Sequence, residues 1–135
     1  MEKFVSRIMK NRRGVYYFTI PDKIMGKMKL KPFMAGEMKA AKGKITLSGF
    51  EKTVKIKIDL EEKTLSLLKK LMREEGYASL DETISNVVRR FFTKKETHIV
   101  YIYPGEYLKG NYTLIDDYEK RKIRKNALKK HSKNS

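Results

Sequence analysis

The clearest periodicity in the chain lies in its middle. Residues 53–59, "TVKIKID", alternate strictly: Val54, Ile56 and Ile58 fall on one side and Thr53, Lys55 and Lys57 on the other, the pattern of a half-buried strand. The period then changes. Leu65, Leu68 and Met72 recur at helical spacing, with Leu67 and Leu71 widening the stripe. Asp59, with Glu62 three residues on, predicts a capping box for this helix, and Gly76 in "EEGYAS" predicts its stop. Ser79 and Glu82 predict a second capping box, with Leu80, Ile84, Val87, Val88 and Phe91 as the apolar stripe of a second helix. A lone strand leaves its backbone donors and acceptors unpaired on both edges. The unit therefore predicts a partner, and a second copy is the simplest one. Two such strands pairing antiparallel over four helices would bury Val54, Ile56 and Ile58 and turn the polar side of both strands outward.

The flanks read differently. Phe4 to Ile8 predicts a strand, "KNRRG" a basic turn and "VYYFTI" a second strand rich in β-formers. Pro21 predicts the first position of a short helix with Ile24, Met25 and Met28 on one side, and "EMKAAKGKITLSGF" predicts a hairpin turning near Lys42-Gly43. Four methionines there (Met25, Met28, Met34, Met38) read as core filling, not ligands. Beyond the second helix, His98 to Tyr103 alternate, break at Pro104-Gly105, and predict a returning strand after Gly110. Tyr101, Tyr103, Tyr107 and Tyr112 read as half-buried strand tyrosines, with base stacking as the alternative. The whole predicts an α+β chain with a basic tail over 118–135, either a helix fringe or a disordered arm.

Charge narrows the partners. The chain has 135 residues and a net charge of +16, from 32 Lys+Arg against 16 Asp+Glu. A field of that strength predicts attraction to polyanions, nucleic acid or anionic membrane. Membrane is disfavoured: no run approaches the roughly 18 apolar residues a span needs, and "MEKFVSRIMKNRR" lacks the apolar core of a signal peptide. Without cysteine there is neither disulfide nor thiolate zinc site, and His98 and His131 stand far apart, so neither metal nor cofactor is expected. Nor does the chain carry a phosphate-binding glycine loop followed by Lys-Ser/Thr, an HExxH or a nucleophile elbow. Asp116-Asp117 reads as a turn. We expect no enzyme, and an intracellular, cytoplasmic location.

Two resemblances join these observations. The stretch "TVKIKIDLEEKTLSLLKKLMREEGYASLDETISNVVRRFF" resembles a ribbon-helix-helix domain of the MetJ/Arc/CopG class over nearly its whole length. That resemblance implies a homodimer whose ribbon enters the major groove of double-stranded DNA, with Thr53, Lys55 and Lys57 facing bases. It also implies a phosphate held at the start of the second helix, by Ser79 and the amides of Leu80 and Asp81. Upstream, "VSR", "FTIPDKI" and "LKP" resemble the AbrB-type swapped-hairpin domain, although "FMAGEM" replaces the Gly-Asp pair usual after that proline. In that family basic residues of the first hairpin and the short helix meet DNA, here Arg7, Arg12, Arg13 and Lys23.

The organisation expected is thus an AbrB-like module (1–50), a ribbon-helix-helix module (51–95), an extended segment (96–117) and the basic tail (118–135). The function expected is sequence-specific, dimeric DNA binding in transcriptional regulation. One alternative is a DNA-binding antitoxin whose residues 96–135 plug a toxin partner, and another is a non-specific architectural DNA-binding protein.

Overall fold

The structure, a computed structural model, describes residues 4–93, 97–110 and 112–133. The boundary expected at 95–96 and the end of the basic tail, residues 134–135, lie outside them. The architecture is mixed α+β, with two small antiparallel sheets and five helices among the described residues.

The first hairpin is shorter than its sequence predicts. β1 (Met9–Lys10) pairs with β2 (Tyr16–Tyr17), while residues 4–8 form no ladder within the chain. The turn between them is organised by Asn11, whose side-chain oxygen accepts the amides of Arg13 and Val15 at 3.0 Å each. Its amide nitrogen donates to the Leu108 carbonyl at 2.9 Å, which ties the turn to the far end of the sequence. Pro21 serves as the N-cap of α1 (Asp22–Lys27) and not as its first residue.

The predicted second hairpin is present: β3 (Ala35–Ala41) pairs with β4 (Lys44–Glu51). Lys42 and Gly43 both take left-handed φ values, 51° and 74°, as the two central residues of a tight hairpin turn must. Lower in the ladder the register slips between Ala35 and Glu37. Gly49, at φ 66°, absorbs the extra residue as a bulge.

α2 (Glu62–Glu75) and α3 (Leu80–Phe92) follow, joined by a turn at Gly76, which is left-handed as expected. The first cap differs from expectation. Glu61, not Asp59, precedes α2, and its side chain accepts no amide of the helix and meets Thr64 Oγ1 instead. Met72, Tyr77 and Leu80 form the small buried cluster between the two helices, with Leu65, Leu68 and Leu114 packed against it.

The C-terminal segment departs most from the sequence reading. β5 (His98–Tyr101) does not begin a hairpin of its own; it pairs antiparallel with β3, giving the sheet order β4-β3-β5. Instead of a returning strand come two helices, α4 (Gly105–Lys109) and α5 (Ile115–Lys133). The reason is that β3 offers β5 a full edge, while Tyr107, Ile115 and Tyr118 bury themselves better from helices. The basic tail is accordingly the body of α5. No helix among the described residues is long and apolar enough to cross a membrane.

Candidate nucleic-acid interface

The alternating segment joins no strand ladder among the described residues. Residues 53–59 belong to no helix, turn or ladder, and all seven are exposed. Val54 is 84%, Ile56 70% and Ile58 50% exposed, so the apolar side of the segment is uncovered within the chain. A second open apolar face lies on α3. Of the stripe predicted for α3, Leu80 is buried and Ile84 half-buried, but Val87, Val88 and Phe91 stand in solvent. Phe91 and Phe92 touch edge to face with centroids 5.1 Å apart, and both remain largely exposed.

On the polar side, Thr53 Oγ1 donates to the Phe33 carbonyl at 2.9 Å. Phe33 itself holds a left-handed φ of 68°, a conformation sparse for a bulky residue, while its ring meets Tyr103, Tyr107 and Tyr118 edge to face. Lys55 is ion-paired with Glu119 and lies 3.7 Å from Asp116, both at the start of α5. The hydrogen bond that its ammonium donates to Glu119 is the main reason its pKa is raised. Lys57 is exposed.

The start of α3 is not the open anion site that its sequence suggests. Ser79 Oγ accepts the Glu82 amide at 3.1 Å, so half of the capping box stands. Ser79 is nevertheless fully buried and Leu80 nearly so, and the Leu80 amide already donates to the Thr113 carbonyl at 2.8 Å. The carboxylate of Asp81 accepts the amide of Ile115 at 3.1 Å, capping α5. Ser79 and Leu80 are therefore withdrawn from the DNA contacts expected of them, because residues 113–115 occupy that helix end.

Glu82 does not complete the box. Its side chain turns inward and accepts the Tyr103 hydroxyl at 2.6 Å, while Tyr103 also meets Ser79 Oγ at 2.8 Å. Burial pushes the Glu82 carboxyl up to about 7 from 4.5, against the lowering effect of Tyr103. Because the folded value is the higher one, the folded chain binds the proton more tightly than the unfolded chain. The resulting stability is intact below 4.5 and lost as pH rises through about 7. Urea unfolding of wild type should therefore lose about 3 kcal/mol, relative to Glu82→Gln, between about pH 4.5 and 7.5; parallel pH profiles would show that Glu82 stays ionised.

The inward face of α3 is polar. Ser79, Thr83 and Asn86 are fully buried in sequence steps of four and three, one helical stripe. Asn86 acts as a substitute strand: its oxygen accepts the Ile99 amide at 2.8 Å and its nitrogen donates to the Ile99 carbonyl at 3.0 Å. The sequence does contain this spacing, but the coincident apolar stripe masks it.

Of the N-terminal basic residues, Arg7, Arg12 and Lys23 are exposed. Arg13 is half-buried and its guanidinium donates to the Ala78 carbonyl in the α2–α3 turn, so it fastens the first hairpin and is not presented to DNA. A cleft of about 830 Å³ lies beside that hairpin, lined by Met9, Val15, Phe18, Met38, Ile99 and others. The four tyrosines stack on one another, Tyr101 to Tyr103 to Tyr107 to Tyr112, with centroids 6.1, 4.6 and 5.7 Å apart. Only Tyr101 lies on a strand, and their faces meet each other, not open space for bases. No protein-family model, curated protein or solved structure matches the chain.

Proposed function

We propose that this protein binds double-stranded DNA sequence-specifically, as a homodimer whose residues 53–59 pair antiparallel with those of a second copy. The observation that carries this reading is the uncovered apolar side of the alternating segment, Val54, Ile56 and Ile58; Val87, Val88 and Phe91 of α3 are exposed as well. A second copy would cover the apolar side of the segment and satisfy the unpaired strand edges. The net charge of +16 favours a polyanion as partner. The exposed polar side then carries Thr53, Lys55 and Lys57, with Arg7, Arg12 and Lys23 as further cations.

The reading supposes a ribbon-helix-helix unit joined to an AbrB-like hairpin module. The short first ladder and the apolar cleft beside it suit a hairpin completed by a second chain. The antitoxin alternative needs a C-terminal segment free to plug a partner. Ile99, Tyr107, Ile115 and Tyr118 are instead buried in their own chain. The regulator and the architectural protein are separated by experiment. Lys55→Ala with Lys57→Ala should weaken binding to a site selected from random DNA by tenfold or more, since a good base contact discriminates by about 1–3 kcal/mol. Scrambled DNA should lose much less. Equal losses on both would make these lysines phosphate contacts, and no loss on either would remove the ribbon from the interface.

A further inference from the structure

Lys55, which the DNA reading needs, and the first amides of α3, where the sequence suggests a phosphate site, are far apart in sequence. One short segment meets them both. The Thr113 carbonyl accepts the Leu80 amide at 2.8 Å, the Ile115 amide donates to Asp81 at 3.1 Å, and Asp116 and Glu119 face Lys55. Charge along α5 is divided accordingly. Asp116, Asp117 and Glu119 stand in its first turns, whereas residues 120–133 hold eight Lys or Arg and no acid.

We propose that residues 113–119 are a built-in competitor for DNA, presenting carbonyl and carboxylate oxygens to the donors that phosphates and base edges would otherwise engage. This rests on the ribbon reading above and deepens it. The arrangement makes physical sense as an exchangeable one. Lys55 and its carboxylate partners are substantially exposed, at 59% for Lys55 and 38% for Glu119, and exposed ion pairs are weak. Arriving DNA can therefore displace Glu119 and Asp116 from Lys55 without unfolding anything. Tyr118 and Ile115, buried in the same first turns of the helix, keep the acidic turn close by for its return. The basic remainder of α5 favours the same DNA, so the segment raises selectivity: a duplex that offers Lys55 no good acceptor does not dislodge the carboxylates.

The experiment compares Glu119→Gln with Asp117→Asn in binding to the selected DNA site at fixed salt. Both remove one negative charge from the start of α5, but the ion pairs of Lys55 are with Glu119 and Asp116. Glu119→Gln should tighten binding by about two- to fivefold, the scale of one exposed ion pair. Asp117→Asn should give a smaller gain, and Glu119→Gln should give no such gain once Lys55 is alanine. Equal gains from the two variants, or a gain that persists without Lys55, would overturn the competitor while leaving the ribbon in place. A Lys55→Ala, Lys57→Ala chain that binds the selected site as tightly as wild type marks a different failure, that of the ribbon reading itself.

Discussion

Ile56→Lys should break the proposed homodimer. In the single chain Ile56 is 70% exposed, and a lysine there would change stability by no more than about 0.5 kcal/mol if no partner covered it. In a paired ribbon the same side chain faces the shared helical core, where an unpaired charge costs several kcal/mol. We therefore expect the dissociation constant to rise at least about a hundredfold, read by sedimentation across a dilution series. If folding depends on pairing, the melting temperature also falls and becomes concentration-dependent. A dimer that survives unchanged sinks the ribbon assignment. The contrast between the two predicted outcomes is large because the position is so open in one state and so enclosed in the other.

Asn86→Ala should be the most damaging change inside a single chain. Asn86 serves the amide and the carbonyl of Ile99 together, and Ile99 is itself buried. Alanine leaves both backbone groups without partners in a site that excludes water. At about 1–3 kcal/mol for each buried unsatisfied group, the loss should reach about 2–5 kcal/mol in urea unfolding. Asn86→Asp keeps the acceptor for the Ile99 amide but turns a carboxylate oxygen toward the Glu82 and Ile99 carbonyls, so it should lose at least as much as alanine near neutral pH. A loss below about 1 kcal/mol for alanine would mean that β5 is held by β3 alone.

Local grammar was legible in the sequence, and long-range wiring was not. The Lys42-Gly43 turn and the Gly76 stop follow from residues that tolerate positive φ, and Ser79 announces its cap within four residues. Such signals depend only on neighbours. The cap at Asp59 failed because α2 begins two residues later than the acidic pattern suggested. The pairing of β5 with β3 depends on residues about sixty positions apart, and alternation in His98–Tyr103 says only that a strand exists, not which edge it meets. Ser79 and Leu80 show the same limit at the candidate interface: their type marks a helix start, while the segment that covers them comes from beyond residue 110. Arg13 looked like its neighbour Arg12, and only the approach of Ala78 separates a fastener from an exposed cation. Glu82 carried a capping signal that burial overrode.

The sheet order β4-β3-β5 also sets the order in which the chain can become safe from its own kind. β3 and β4 can close early as a local hairpin, with a turn that needs no distant help. Until residues 98–101 arrive, however, the second edge of β3 is a row of open donors and acceptors, facing whatever strand is nearest. A nascent or truncated chain ending near Phe92 would carry that open edge together with the bare apolar side of residues 54–58. Closing it requires a contact across about sixty residues, which is slow by comparison with a hairpin. β5 is thus a delayed seal, and Asn86, by gripping Ile99 from α3, helps to hold that seal shut once it has formed.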